Sequence, residues 1–284
     1  MSPTTRAAFL LCLGALAAGC ASTPGDEPAG APRPETVFAL TDAQELIRFN
    51  AGTPRRIEQR QPVTGLAAGE TLVGIDYRVA RGVLYGLSSA GRLVTLDTTT
   101  ARATAVGAAP AVALQGTRFG VDFNPAADRL RVVSDTGQNL RLHPDTGALA
   151  ATDPPLMAAT GATGAGPAPR MAGAGYTYNK KNEKLTTNYA IDIGRGWLVT
   201  QGSIEGVEPV VSPNTGRIAD VGALGTGPVD DAAFDIADIH NAALAALRVG
   251  GRTRLYAIDL ATGRATLLGS VGDGGVLRGI AIQP

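Results

Sequence analysis

The chain has 284 residues, with 25 basic and 25 acidic side chains, so its formal net charge is zero. It shows no basic stripe or acidic block, which leaves nucleic-acid binding without electrostatic support, and no nucleic-acid partner is expected. Both cysteines, Cys12 and Cys20, fall in the first twenty residues. The rest of the chain therefore has no thiol for a disulfide, a nucleophile or a cysteine-bound metal.

The first twenty residues are typical of an export signal. Arg6 supplies a positive charge ahead of an apolar run from Ala7 to Ala18, which is too short to span a bilayer. The stretch Leu16-Ala17-Ala18-Gly19-Cys20 resembles a bacterial lipobox, after which Cys20 becomes the acylated first residue. We therefore expect a lipoprotein of the cell envelope anchored in the membrane, and Ala21 favours the outer membrane. The alternative is an ordinary secretory signal, giving a periplasmic or secreted protein.

The segment after the signal differs in composition from the rest of the chain. Residues 21–35 are rich in Ser, Thr, Gly, Pro and Ala and have no periodicity, which predicts a flexible tether. Residues 36–284 are long enough for one large β domain with its own core. The expected organisation is a signal at 1–20, a tether at 21–35 and one domain at 36–284.

Five short stretches of this domain look like copies of one another at intervals of roughly 50 residues. Short runs rich in Val, Leu, Ile, Thr and Tyr, separated by turn residues, follow each of the first four copies and complete a four-stranded unit. Repeats of this length built from strands predict β-propeller blades. The copies align on Ile75, Val121, Tyr176, Phe234 and Ile280.

The fifth unit is divided between the two ends of the chain. Arg278 to Ile282 supplies its first strand, and runs at 37–41, at 46–50 and near Arg56 supply the other three. Pairing them leaves no open sheet edge between the first and last blades. The sequence thus predicts an all-β, five-bladed β-propeller closed by its C-terminal and N-terminal strands. The long stretch from Ala158 to Ala174 leaves a sixth blade as the alternative, although its composition predicts a loop.

The first strand of each blade lines the central channel of a propeller, and ligands bind where the following loops converge. The repeat places carboxylates at equivalent inner positions, and Arg78 and Asp238 lie just beyond. Carboxylate and amide oxygens suit a hard cation, so we consider Ca²⁺ held by Asp76, Asp122 and Asp235. The alternative is that each Asp bonds the backbone of its own turn. The inner positions are Asp76, Asp122, Thr177, Asp235 and Ala281, and the candidate channel-mouth site is Asp76, Asp122, Asn124, Asn179 and Asp235.

A second cluster of polar residues lies on a predicted hairpin. Strand alternation puts Arg129 and Arg131 on one face, and we expect Arg131 to pair with Asp122 or Asp135. Such a surface favours anion recognition, whereas the alternative is a solvated hairpin with cross-strand ion pairs. The candidate residues are Arg131, Asp135, Gln138, Asn139 and Arg141.

Signals for catalysis are few. The chain has two histidines, His143 and His240, and no Gly-x-Ser-x-Gly motif, which disfavours a Ser–His–Asp hydrolase and excludes a three-histidine zinc site. It has no phosphate-binding loop or dinucleotide fingerprint. No catalytic residue is assigned.

Several of these motifs together resemble a known family. Leu72-Val73-Gly74-Ile75-Asp76-Tyr77, Phe119 to Pro125 and the run from Arg129 to Thr146 are similar to exported bacterial proteins that share a domain of unknown function. The resemblance covers Val37 to Ile282. It implies a secreted or envelope propeller-like domain and implies no activity.

Two functions remain open at this point. The first is a non-enzymatic propeller that presents its loops to a protein or glycan partner. The second is a Ca²⁺-assisted hydrolase or lactonase that acts at the channel mouth through Asp76, Asp122, Asn124 and Asp235. Propellers host both kinds of protein, so the fold does not choose between them.

Overall fold

The computed structural model describes residues 30–108, 111–157 and 168–284. This part of the chain folds into five four-stranded antiparallel sheets. Blade 1 consists of β4 (Leu72–Arg78), β5 (Val83–Ser88), β6 (Leu93–Leu96) and β7 (Ala103–Ala105); blade 2 of β8 (Phe119–Asn124), β9 (Arg129–Ser134), β10 (Asn139–Leu142) and β11 (Leu149–Thr152); blade 3 of β12 (Met171–Tyr176), β13 (Asn188–Asp192), β14 (Trp197–Gln201) and β15 (Ile218–Ala223); blade 4 of β16 (Asp231–Ile236), β17 (Ala243–Val249), β18 (Arg252–Ile258) and β19 (Ala265–Ser270); blade 5 of β20 (Leu277–Ile282), β1 (Thr36–Thr41), β2 (Glu45–Asn50) and β3 (Ile57–Pro62).

The ring closes as the sequence predicted. Strand β20 pairs antiparallel with β1, so that Ile280 lies opposite Ala39 and Ala281 opposite Phe38. The inner strands β4, β8, β12, β16 and β20 contact one another in a circle. Five blades and the closure between the chain ends are therefore confirmed. Strand β12 begins at Met171, inside the stretch that we expected to be loop, and residues 158–167 lie outside the described part.

Glycines set how closely neighbouring inner strands approach. A Cβ on Gly74 would lie 2.5 Å from Val121, one on Gly120 would lie 2.6 Å from the backbone of Gly173, and one on Gly173 would lie 2.6 Å from Phe234. Each glycine thus packs against the inner strand of the next blade, where an added Cβ would overlap a side chain or the backbone of that strand. The apolar clusters lie between adjacent blades and fill the rest of the ring.

These contacts correct the predicted alignment of blade 3. Gly74, Gly120 and Gly173 occupy equivalent positions, so Ala174, and not Tyr176, corresponds to Ile75. Gly175 therefore stands where we placed Thr177. The sequence alignment matched one large apolar side chain with another, whereas the close approach of backbones sets the register of the ring.

The domain includes residues before Thr36. The backbone N–H of Arg33 donates to Asn50 Oδ1 at 2.9 Å, and the buried Glu35 lies 3.1 Å from His240 Nε2. Residues 33–35, which we assigned to the tether, pack against blades 4 and 5. The export signal, Cys20 and residues 21–29 lie outside the described residues, and their assignment stays a prediction.

Helices are almost absent from the described ranges. They contain two single-turn 3₁₀ helices, Val79–Arg81 and Pro213–Thr215. None of the helices in these ranges is long and apolar enough to cross a membrane.

Candidate functional site

Three carboxylates meet near the C-terminal ends of the inner strands. Asp76, Asp122 and Asp235 come from blades 1, 2 and 4, and their residues are only 4–5% exposed. One oxygen of each lies within 4.8 Å of one oxygen of the other two. The structure therefore brings together the three residues that the repeat placed at equivalent positions. We call them the aspartate cluster.

Each member of the aspartate cluster bonds the inner strand of the next blade. Asp76 Oδ2 accepts a hydrogen bond from the backbone N–H of Phe123 at 2.6 Å. Asp122 Oδ1 accepts from the N–H of Tyr176 at 3.0 Å, and Asp235 Oδ2 accepts from the N–H of Ile282 at 2.5 Å. These bonds connect one blade to another, which the alternative that each Asp bonds the backbone of its own turn does not include.

Blades 3 and 5 carry Gly175 and Ala281 at this position and supply no carboxylate. A carboxylate at Gly175 would face the backbone N–H of Ile236, and one at Ala281 would face the N–H of Tyr77. Each of these N–H groups instead bonds the Asp that precedes it in sequence. The N–H of Ile236 donates to Asp235 Oδ1 at 2.6 Å, and the N–H of Tyr77 donates to Asp76. Three carboxylates thus satisfy five equivalent buried N–H groups.

Burial and mutual repulsion make the aspartate cluster unusually basic. Burial raises the pKa of Asp76 and Asp122 well above its ordinary value, and nearby carboxylates raise it further. Burial raises the pKa of Asp235 to about 6, although hydrogen bonds, one of them with Asp122, oppose the effect. Burial and the charge of Asp235 raise the pKa of the adjacent Asp238 to about 7. Protons or a cation must therefore balance the charge of this cluster.

A cavity of about 380 Å³ lies above the aspartate cluster. We call it the channel-mouth pocket. Aromatic and aliphatic side chains, among them Tyr77, Phe123 and Tyr178, form part of its wall, and the carboxylates of Asp238 and Glu183 lie around it. The pocket is therefore acidic at its floor and partly apolar on its sides.

Arg78, the arginine that lines the channel-mouth pocket, is paired with carboxylates of neighbouring loops. Arg78 is buried, and its guanidinium donates to both carboxylate oxygens of Asp128 at 2.8 and 2.5 Å and to Asp145 at 2.5 Å. Both partners are half-exposed loop residues. Arg78 thus joins blade 1 to loops of blade 2, and those two carboxylates balance its charge.

The two predicted amide ligands have different positions. Asn124 lines the channel-mouth pocket, but its Oδ1 accepts hydrogen bonds from the N–H groups of Ala126 and Ala127, both at 2.9 Å. Asn179 does not line the pocket, and its Oδ1 accepts from the N–H of Lys181 at 2.9 Å. Each amide oxygen therefore holds its own loop, and neither belongs to the aspartate cluster.

Arg131 lies inside the protein and not on a recognition surface. It is 1% exposed, and its guanidinium donates to Tyr176 Oη at 2.7 Å, Asn139 Oδ1 at 2.6 Å and Asp153 Oδ2 at 2.9 Å. A further bond reaches Asn214 in blade 3 at 2.6 Å. The predicted pairing of Arg131 with Asp122 or Asp135 is wrong, since Asp153 is the partner.

The other residues of the polar hairpin are also held by the fold. Asp135 accepts a hydrogen bond from the N–H of Thr117 at 2.8 Å, and Gln138 donates to the carbonyl of Ala113 at 2.8 Å. Arg141 makes a bidentate pair with Asp153, with both distances 2.8 Å. The five predicted residues therefore do not form one exposed surface.

Sequence reasoning missed three residues around these sites. Asp153 follows the last strand of blade 2 without a recognisable motif, and Glu183 and Tyr178 come from an irregular loop of blade 3. Only the inner-strand repeat could have indicated Tyr178, because it closely follows the strand. The loop itself carries no periodic signal.

A comparison with protein families adds an independent observation. The profile of a domain of unknown function, DUF4394, matches residues 45–281. The chain belongs to this family. The match spans all five blades and confirms the resemblance seen in the sequence. A comparison with curated proteins finds no match.

The solved structures that resemble this protein have low sequence identity to it. A candidate 6-phosphogluconolactonase of Bacteroides uniformis has a TM-score of 0.42 and 15% identity, covering 86% of this chain and 72% of its own. A chain of the nidogen–laminin complex has a TM-score of 0.45 and 13% identity, covering 88% and 98%. BamB of Moraxella catarrhalis has a TM-score of 0.35 and 15% identity, covering 84% of this chain and 59% of its own.

Proposed function

We propose that this propeller is a binding domain whose aspartate cluster holds a divalent cation, with Ca²⁺ as the preferred ion, at the floor of the channel-mouth pocket. The supporting observation is the convergence of three buried carboxylates with one oxygen of each within 4.8 Å of the others. Three points so spaced lie within about 2.8 Å of a common centre, close to the roughly 2.3–2.6 Å of calcium–oxygen bonds. Small side-chain movements complete such a site.

The backbone bonds of the aspartate cluster suit this role. A carboxylate oxygen can accept an N–H bond and still offer a second lone pair to a cation. The N–H bonds from Phe123, Tyr176 and Ile282 fix the three carboxylates in place, as outer hydrogen bonds do for metal ligands. A bound cation would also relieve the repulsion that raises the pKa values of Asp76 and Asp122.

The rest of the coordination sphere would face the channel-mouth pocket. Ca²⁺ takes six to eight oxygen ligands, so ligand hydroxyl or carboxylate oxygens and water would complete it. We propose that these come from a glycan or from a protein partner whose group enters the pocket. The aromatic rings of Tyr77, Phe123 and Tyr178 around the pocket offer apolar contact to such a ligand.

Thermal unfolding with added Ca²⁺ tests the cation site. A ligand that binds only the folded state raises the melting temperature with its concentration. We expect this rise for the wild type and for Asp273→Asn, an exposed control. Asp122→Asn and Asp235→Asn should abolish it. No shift at millimolar Ca²⁺, or an equal shift in Asp122→Asn, would reject the site.

A second candidate function is Ca²⁺-assisted hydrolysis of an ester or lactone in the same pocket. The observation that favours it is Asp238, which lines the channel-mouth pocket beside the aspartate cluster. Burial and the charge of Asp235 raise its pKa in the metal-free domain, and a carboxyl group with a raised pKa suits a general base. Activity against a panel of lactones and aryl esters should then rise with pH as Asp238 loses its proton. Asp238→Asn should lose the activity and keep the Ca²⁺-dependent stabilisation. Absence of turnover across the panel would leave the binding function alone.

The location in the cell is a separate proposal. We propose that Cys20 carries lipid and holds the domain at the envelope, most directly at the outer membrane. Val37 lies opposite Ile282, so the chain enters β1 at the end of the ring that bears the channel-mouth pocket. Cys20→Ala should abolish labelling by a palmitate analogue and release the protein from membranes. Unchanged membrane association would reject the anchor.

A further inference from the structure

A second cavity lies between blades 2 and 3, beside the channel mouth. It has a volume of about 410 Å³, and Asn124 is the one residue that it shares with the channel-mouth pocket. We call it the inter-blade cleft. The loops that carry Lys184 and Ile204 form its blade 3 side, and the strands of the polar hairpin form its blade 2 side. The two cavities differ sharply in charge.

Three arginines line the blade 2 side of the cleft. Arg129 and Arg131 lie two residues apart on β9, and Arg131 lies directly opposite Arg141 on β10. Like charges facing each other across strands are destabilising unless an anion lies between them. Asp153 is that anion, because it pairs with both Arg131 and Arg141. The carboxylate of Asp153 therefore forms ion pairs with two guanidinium groups.

Positive charge remains after this pairing. Arg129 donates to the backbone carbonyls of Ala127 and Asp128, which carry no net charge, and Lys184 adds another cation to the lining. The acid in the lining, Glu205, likewise has a neutral partner, because its Oε1 accepts from the amide of Asn179, and its buried Oε2 has no hydrogen-bond partner among the described residues. The cleft thus has more cationic than anionic groups around it.

The opposite side of the cleft carries exposed apolar side chains beside Lys184 and Glu205. Leu185, Ile204 and Val210 are 39%, 41% and 70% exposed and belong to two loops that border the same cavity. Apolar residues exposed next to a cavity favour contact with an apolar ligand surface. Three arginines on the blade 2 side, and Lys184 beside aliphatic side chains on the blade 3 side, define an amphiphilic site.

We infer that the inter-blade cleft binds an organic anion: a carboxylate or phosphate monoester attached to an apolar body. Arg129, Arg141 and Lys184 would bind the anionic head, since guanidinium groups match planar and tetrahedral oxyanions and an ammonium group adds a further charged donor. Leu185, Ile204 and Val210 would cover the apolar part. The aspartate cluster repels anions, so this ligand is distinct from the cation proposed there. The inference does not depend on the proposed function.

Calorimetric titration of the intact domain with three probes tests this inference. The probes are octanoate, octyl phosphate and octyltrimethylammonium, which share an apolar chain and differ in the charge of the head. We expect at least one anionic probe to bind and the cationic probe to fail. Arg129→Gln and Lys184→Gln should each weaken anion binding by about tenfold, the effect of losing one charged hydrogen bond.

Matched variants separate the two parts of the cleft and the two cavities. Ile204→Ser should weaken binding of the octyl probes. The stability of the domain should stay nearly unchanged, because the side chain of Ile204 is exposed. Arg264→Gln, an exposed arginine on an outer turn of blade 4, should bind like the wild type. Asp122→Asn should retain anion binding even where it loses Ca²⁺. Failure of both anionic probes, equal binding of the cationic probe, or wild-type affinity in Arg129→Gln and Lys184→Gln would overturn the inference.

Discussion

The carboxylate of Asp122 in blade 2 accepts a hydrogen bond from the backbone N–H of Tyr176 in blade 3, at 3.0 Å. The same relationship joins blade 1 to blade 2 and blade 4 to blade 5. The aspartate cluster therefore stabilises the ring through hydrogen bonds and destabilises it through repulsion. Substitutions that separate these two effects give the most direct tests of the site.

Asp122→Asn and Asp122→Ala should differ in stability. The amide of Asn can still accept from the Tyr176 N–H and removes one repulsive charge, so we expect stability at pH 8 equal to or above that of the wild type. Alanine leaves a buried N–H without a partner, at a cost of about 1–3 kcal/mol. Urea unfolding in the presence of a chelator measures both. Equal stability of the two variants would show that the bond contributes nothing.

The metal-free domain should lose stability as the pH rises above about 4. The folded-state pKa of Asp76, Asp122 and Asp235 is raised, reaching about 6 for Asp235, so the folded state binds more protons than the unfolded state in this window. Stability then falls by up to about 1.4 kcal/mol per pH unit for each carboxyl group. Asp238, with a pKa of about 7, extends the window upward.

Melting temperatures measured at several pH values in the presence of a chelator test this decrease of stability with pH. Asp122→Asn should flatten it, whereas the exposed Asp273→Asn should not. Ca²⁺ needs the deprotonated carboxylates, so its stabilising effect should grow over the same window. A melting temperature that rises from pH 5 to pH 8 without metal would contradict the assigned protonation of the cluster.

Loss of Arg131 should be among the most damaging single changes. Arg131→Met removes the buried partner of Asp153, Tyr176 and Asn214, and breaking a buried ion pair in this way costs about 3–5 kcal/mol. Arg264→Met, at an exposed turn, should cost little. Denaturant unfolding compares the two. If both lose the same stability, the buried network does not hold blades 2 and 3 together.

Gly120→Ala should destabilise the ring by forcing two inner strands apart. The added Cβ would lie 2.6 Å from the backbone of Gly173, and overpacking of this kind costs about 1–3 kcal/mol or more. Gly275 is a suitable control, because its nearest neighbour would be a flexible Asp273 side chain at 3.4 Å. Gly275→Ala should therefore unfold like the wild type. Equal melting temperatures would show that the strands can separate freely.

The closing strand should make a large contribution to stability. Ile280 on β20 is 2% exposed, so Ile280→Ala should cost about 2–5 kcal/mol through lost burial and a residual cavity. Leu267→Ala, at a residue 48% exposed, serves as the control and should cost much less. Denaturant unfolding measures the difference. A small effect at Ile280 would mean that the ring stays folded when its closure is weakened.

The amino-acid pattern alone is enough to predict the five-bladed architecture. Each blade repeats the same strands and turns, and such local strand patterns can be recognised without knowing which distant residues they contact. The division of the fifth unit between the chain ends predicted ring closure. Recurring Asp at equivalent positions of three inner strands predicted that Asp76, Asp122 and Asp235 meet, since the ring brings equivalent positions together.

The contacts of those residues follow from how the blades pack, which the sequence pattern does not show. Large apolar side chains recur at several positions of a strand. The alignment of these side chains placed Thr177 at the position equivalent to Asp76, where the packing of the strands places Gly175. Strand alternation assigned Arg131 to a face, but its partner Asn214 lies in another blade, 83 residues away. Such contacts depend on how neighbouring sheets are set against each other. Local alternation fixes the face of a side chain, and the packing of whole blades fixes its partner.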